Sequence, residues 1–138
     1  MERKRFAGVL VKYQDTILLC KRNSKAEFPG MWSIPAGGVE QDESTMEAAK
    51  REFFEETAID IKNKDINFIG ILPRTTRDGN KTKGLMYVYK LETDLKLEPD
   101  LNSAVDGDEH TDWGYFDKTK LKNLNMGKHM KHLVNLFI

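Results

Sequence analysis

Three glutamates, Glu52, Glu55 and Glu56, stand at i, i+3 and i+4 in the run Lys50 to Thr57. On an α-helix that spacing brings all three carboxylates to one face, where like charges repel and cost stability unless something positive sits among them. A hard divalent cation meets that need, because Mg²⁺ takes oxygen ligands from a few carboxylates and completes its shell with water and phosphate oxygens. The acids also crowd the C-terminal half of the segment, where the helix macrodipole disfavours negative charge. They therefore serve something other than helix stability. The rest of the segment has what a helix needs. Ser44 and Glu47 have the spacing of a capping box, and Met46, Ala49, Phe53 and Thr57 form a stripe expected to pack on a core.

Taken with its glycine turn, the block from Gly37 to Ile59 resembles the Nudix box, Gly-x5-Glu-x7-Arg-Glu-U-x-Glu-Glu-x-Gly-U, in which U is a bulky apolar residue. Gly37 supplies the first glycine, Glu43 the isolated glutamate, Arg51-Glu52 the basic-acidic pair, Phe53 the apolar position, Glu55-Glu56 the acidic pair and Ile59 the closing apolar site. One fixed position departs. Ala58 stands where the family has glycine, at the helix end, where a left-handed conformation costs a residue with a Cβ about 1–2 kcal/mol. Asp42 occupies a turn position where such proteins commonly have glycine, and Asp tolerates positive φ better than most residues.

The resemblance implies a Mg²⁺-dependent hydrolase, with Mn²⁺ as the alternative cation. It would cleave a nucleoside diphosphate linked to another moiety by water attack on phosphorus. Glu52, Glu55 and Glu56 then match the family's metal ligands, joined by the backbone carbonyl of Gly37. Glu43 and Arg51 match positions that orient the site, the arginine by pairing with glutamates one helical turn away. The general base is either a glutamate of the box, Glu52 or Glu55, or a later loop glutamate, for which Glu109 in E-H-T-D-W is the match. Arg22 matches a position that faces substrate. Arg74 and Arg77 can meet phosphates, although a solvated hairpin tip is their ordinary reading. Trp32 either packs beneath the glycine loop or flanks a base. Pro73 lies near a proline that marks ADP-ribose hydrolases in the family, without the rest of that array.

Other readings stay open: a nucleoside triphosphate pyrophosphatase, a hydrolase of dinucleoside polyphosphates or RNA 5′ ends, and a non-catalytic binding module. Against the last, all three carboxylates are retained. Homodimers are frequent among similar proteins.

These residues need a scaffold. Phe6–Lys12 and Thr16–Arg22 are rich in β-formers and read as antiparallel strands, with a short extended piece at Trp32–Ile34. A helix follows from Thr45. Asn67–Leu72 and Gly84–Leu91 read as a hairpin turning at Asp78-Gly79, and Asp112–Phe116 as a further strand. Lys128–Phe137 has the apolar spacing of a C-terminal helix docked on the sheet. This order implies an α/β fold, an α/β/α sandwich around a mixed β-sheet, which is also the Nudix architecture. His110 reads as a solvated loop residue, and His129 and His132 as exposed.

A chain of 138 residues fits one domain, residues 1–138. Lys plus Arg equals Asp plus Glu at 22 each, so no overall charge draws it to nucleic acid or membrane. The partner expected is a small nucleotide-type molecule. Cys20, the one cysteine, lies in an apolar run, which excludes an intrachain disulfide and suits a cytoplasmic protein. The apolar run after the basic start breaks at Lys12, too soon for a secretory signal or a membrane span.

Overall fold

The run Phe6 to Val11 is apolar at every position, the pattern of a strand buried on both faces. It becomes the central strand of a seven-stranded mixed sheet. The computed structural model describes residues 4–23, 29–75, 81–106 and 109–138. Its strands are β1 (Lys4–Tyr13), β2 (Thr16–Arg22), β3 (Trp32–Ser33), β4 (Ala36–Gly38), β5 (Asn67–Thr75), β6 (Thr82–Thr93) and β7 (His110–Phe116). The helices are α1 (Thr45–Thr57), α2 (Lys118–Leu121) and α3 (Lys128–Asn135).

One edge of β1 pairs with β6, parallel and in register from Lys4↔Gly84 to Tyr13↔Thr93. The other edge is shared. Its end takes β2 at Lys12↔Ile17 and Tyr13↔Thr16, while its start takes β4 at Phe6↔Gly38 to Gly8↔Ala36, both antiparallel. Gly8 permits that second approach, since a Cβ there would come within 2.6 Å of the Ala36 Cβ. β5 pairs antiparallel with β6 as the hairpin reading expects, and the expected turn at Asp78-Gly79 lies outside the described residues. As an outer strand, β5 readily takes a proline, Pro73.

Alternation along β1 sends side chains to two cores. Ala7, Val9 and Val11 meet Ala48, Ala49 and Phe53 of α1 on one face. Phe6 and Leu10 meet Leu121 of α2 and Met130, Leu133 and Val134 of α3 on the other. The result is the α/β/α sandwich that the element order implies. Met46 departs from the expected stripe. It is 39% exposed, because the buried face of α1 runs through Ala48, Ala49, Phe53, Glu56 and Thr57 instead. No described helix is long and apolar enough to cross a membrane.

Both ends of α1 adopt the expected geometry. Ser44 and Glu47 form a reciprocal capping box. Asp42 has φ 67° and Ala58 φ 65°, so both residues standing at glycine positions are left-handed. Ala58 N–H donates to Phe54 O at 2.8 Å, an αL stop made without glycine.

Candidate active site

Four segments converge on the C-terminal half of α1. The first is β4, which lays Gly37 against the helix. A Cβ at Gly37 would overlap the carboxylate of Glu52, so glycine there lets that carboxylate lie directly against the strand.

The loop after β6 is the second segment. Asp106 N–H donates to Glu55 O at 2.7 Å and Asp100 N–H to Thr57 O at 2.9 Å, satisfying carbonyls that a helix end leaves without partners. The docking carries the Asp106 carboxylate to the acids of α1. One oxygen each from Glu52, Glu55 and Asp106 lie within 4.8 Å of one another.

The end of β2 and the start of β7 close the remaining sides. Arg22 pairs with His110 across a β-bulge, and Asn23 N–H donates to Glu109 O at 2.9 Å. The bulge re-aims the chain at the point where the two loops leave the sheet.

Arg51 ties the half-buried acids together. Its Nε and Nη2 donate to the two oxygens of Glu43 at 2.7 and 3.0 Å, the bidentate geometry that a planar guanidinium favours. Nη1 donates to Glu52 Oε1 at 2.9 Å and Glu55 Oε2 at 3.0 Å, and Nη2 also reaches Gly38 O at 2.9 Å. Glu52 and Glu55 therefore each spend one oxygen on Arg51 and keep the other. The bond to Arg51 holds the Glu43 carboxyl below its ordinary range. Burial pushes Glu52 up, with Arg51 opposing.

Glu56 is held differently. It is fully buried, and neither carboxylate oxygen has a hydrogen-bond partner among the described residues. Burial first, then the charges of Glu52 and Glu109, push its pKa well above the carboxylate range. The charge of Arg22 and the Ala36 N–H oppose that shift, the N–H from outside hydrogen-bonding geometry. His110 Nε2 lies 3.5 Å from Glu56 Oε1. Burial and the Arg22 charge push the imidazole down to about 4, so it is neutral near pH 7 and supplies no counter-charge.

The donor set is all oxygen. An acidic cluster beside a fully buried carboxylate with two orphaned oxygens suits a hard divalent cation such as Mg²⁺ or Mn²⁺.

Residues 1–137 match the family model described as NUDIX domain. The chain belongs to the Nudix family. A relative from Salmonella arizonae called nucleoside triphosphatase NudI is 33% identical over 84 residues, which are 60% of this chain and 56% of that protein. The chain thus spans about half the length of the curated relatives it matches. Its fold is shared with a MutT Nudix hydrolase from Burkholderia pseudomallei, at TM-score 0.77 and 22% identity over 98% of both chains. It is also shared with a bifunctional NMN adenylyltransferase/ADP-ribose pyrophosphatase from Francisella tularensis, solved with AMP and a Mn ion. There the TM-score is 0.72 at 22% identity, over 98% of this chain and 41% of that one.

Of the Nudix positions read from sequence, the structure brings Gly37, Glu43, Arg51, Glu52 and Glu55 into direct contact, with Glu56 buried beside them. Glu109 is exposed, and its charge acts on Glu56. Arg22 acts on both Glu56 and His110. Trp32 is half-buried edge-on to Phe116, ring centroids 4.9 Å apart, against the core beneath α3. Arg74 lies over Phe6, its guanidinium 4.1 Å from the ring centroid, and Phe6 belongs to that same core across the sheet from α1. Arg77 lies outside the described residues.

Two residues of the site escape sequence reading. Asp106 sits in an aperiodic polar loop, and only a backbone bond to α1 brings it into place. His110 is 6% exposed rather than solvated, because β7 begins at His110 and pairs it with Arg22. The one signal available was the cluster of acids flanking it, Asp106, Asp108, Glu109 and Asp112.

Proposed function

We propose that this Nudix chain is a Mg²⁺-dependent pyrophosphohydrolase that cleaves a nucleoside diphosphate linked to another moiety. The observation that carries this reading is the concentration of acid at one end of α1. Glu52, Glu55 and Asp106 converge there, Glu56 is buried without a hydrogen-bond partner among the described residues, and Arg51 consumes only one oxygen each of Glu52 and Glu55. Glu52, Glu55, Glu56 and Asp106, with the Gly37 carbonyl, would hold the cation, with Mn²⁺ as the alternative to Mg²⁺. When bound, such an ion neutralises phosphate oxygens and makes water a stronger nucleophile.

The remaining steps belong to the chain. Arg51 keeps Glu52 and Glu55 from turning away under their mutual repulsion, as an outer-shell partner does. Glu109, exposed at the rim, accepts the proton of the attacking water through its carboxylate. Arg22 offsets the negative charge of Glu56. For Trp32 and Arg74, half-buried against Phe116 and Phe6 across the sheet from α1, packing on that core is the role their contacts support. Cytoplasmic residence fits a free-nucleotide substrate and a buried, unpaired Cys20.

The similarity to proteins called nucleoside triphosphatase favours a second reading, release of pyrophosphate from a nucleoside triphosphate. A product panel separates the two. ADP-ribose, nucleotide sugars and dinucleoside polyphosphates should yield a nucleoside monophosphate, whereas turnover of triphosphates alone, with pyrophosphate as product, would select the second reading. If Glu109→Gln lowers turnover no more than a few-fold, the base is a glutamate of the box.

A further inference from the structure

His110 has no part in the reading above, yet the orphaned polar atoms of the interior gather around it. Among the described residues the buried polar or charged side chains are Glu56, Thr57 and His110. Thr57 is satisfied, its hydroxyl donating to Phe53 O at 2.6 Å and accepting from Ile59 N–H at 3.1 Å. The buried side-chain atoms without a partner are Glu56 Oε1, Glu56 Oε2 and His110 Nδ1. Native interiors satisfy nearly all such atoms, so three orphans on two facing side chains call for a physical reason.

The tautomer of His110 follows from what surrounds it. A proton on Nδ1 would bury an N–H with no acceptor and, with Glu56 ionised as cation binding requires, turn the Nε2 lone pair toward that carboxylate, 3.5 Å away. With the proton on Nε2, the ring turns an N–H dipole rather than a lone pair toward Glu56 Oε1, 3.5 Å away and beyond hydrogen-bond length, and leaves at Nδ1 only an unused lone pair. Orphaned lone pairs are tolerated in interiors more often than orphaned N–H groups. The second arrangement is therefore favoured.

We infer that His110 is a positioning residue: its Nε2, 3.5 Å from Glu56 Oε1 in a dipole contact longer than a hydrogen bond, orients the buried carboxylate and so sets the affinity of the site for a divalent cation. A neutral donor suits this task. It steadies the carboxylate without neutralising it, whereas an arginine in the same place would compete with the cation. Outer-shell donors of this kind typically change cation affinity by about 10–100-fold. The inference rests on the cation-site reading above.

The test is Mn²⁺ binding, followed by the electron paramagnetic resonance of free Mn²⁺, in wild type, His110→Gln and His110→Leu. Gln keeps a donor near the Nε2 position and Leu removes it. We expect affinity to fall about 10–100-fold in His110→Leu and to stay within about threefold of wild type in His110→Gln. Equal affinity in all three proteins, or equal loss in both variants, overturns the inference. Spin-echo spectra of the Mn²⁺-loaded wild type need no variant: ¹⁴N modulation from a coordinated imidazole would make His110 a ligand and also overturn it. A wild type that binds no Mn²⁺ defeats the cation-site reading itself, which keeps the two failures apart.

Discussion

Glu56→Gln should stabilise the cation-free protein and at the same time abolish its response to Mg²⁺. The carboxylate is fully buried and neither oxygen has a hydrogen-bond partner among the described residues, so the folded chain either holds a poorly compensated charge or keeps the group protonated. Protonation limits the penalty. Each pH unit above the ordinary 4.5 costs about 1.36 kcal/mol, so at pH 8 the penalty is at most about 5 kcal/mol. The Arg22 charge relieves part of it, and a buried amide with orphaned hydrogens gives back about 1–3 kcal/mol. The net gain is therefore at most about 4 kcal/mol. At about 3 °C per kcal/mol for a chain of this size, Tm in EDTA should rise, by no more than roughly 12 °C. In wild type, Mg²⁺ at about a hundred times its Kd should add about 2.7 kcal/mol, and in the variant close to nothing. Thermal melts of both proteins with EDTA and with Mg²⁺ check this directly. A variant that melts below wild type in EDTA, or gains as much from Mg²⁺, would refute the reasoning.

Three further outcomes are expected. Ala58→Gly should stabilise the fold by about 1 kcal/mol in urea melts without altering turnover, because the left-handed stop of α1 at φ 65° costs alanine and not glycine. Asp106→Asn should weaken Mn²⁺ binding about tenfold or more, measured by calorimetry, since its oxygen joins those of Glu52 and Glu55. Cation-free stability should also depend on pH. Glu56, raised when folded, contributes stability that is full below pH 4.5 and lost as pH rises through its folded value. His110, lowered to about 4, contributes stability that is full above pH 6.5 and lost as pH falls toward 4. Urea melts in EDTA should therefore show stability falling as pH rises through the folded value of Glu56, and Glu56→Gln should flatten the fall.

Helix α1 was legible because its signals are local: a capping box, a 3.6-residue period and acids in fixed spacing. The long strands were legible for the same reason. β4 was not, since three residues held by backbone pairing to β1 carry no side-chain pattern. Nor was the parallel pairing of β1 with β6, which joins segments far apart in the chain. Within the site, the depth of Glu56 was visible in principle. It falls three residues after Phe53 and beside Thr57 on the buried stripe, but an acid on an apolar face is easily counted with its exposed neighbours. Met46 was misjudged in the opposite sense, an apolar residue left 39% exposed near the helix start. Asp106 and His110 owe their places to loop docking and strand pairing, and both depend on contacts remote in sequence.

The central claim is that this acid cluster serves water attack on a phosphoric anhydride. Hydrolysis of ADP-ribose and related nucleotides in H₂¹⁸O, with Mg²⁺ and with EDTA, tests it most directly. The account predicts turnover only with the cation and a single ¹⁸O in one of the two phosphate products. Turnover undiminished by EDTA, or ¹⁸O recovered on a sugar carbon rather than on phosphorus, would contradict it.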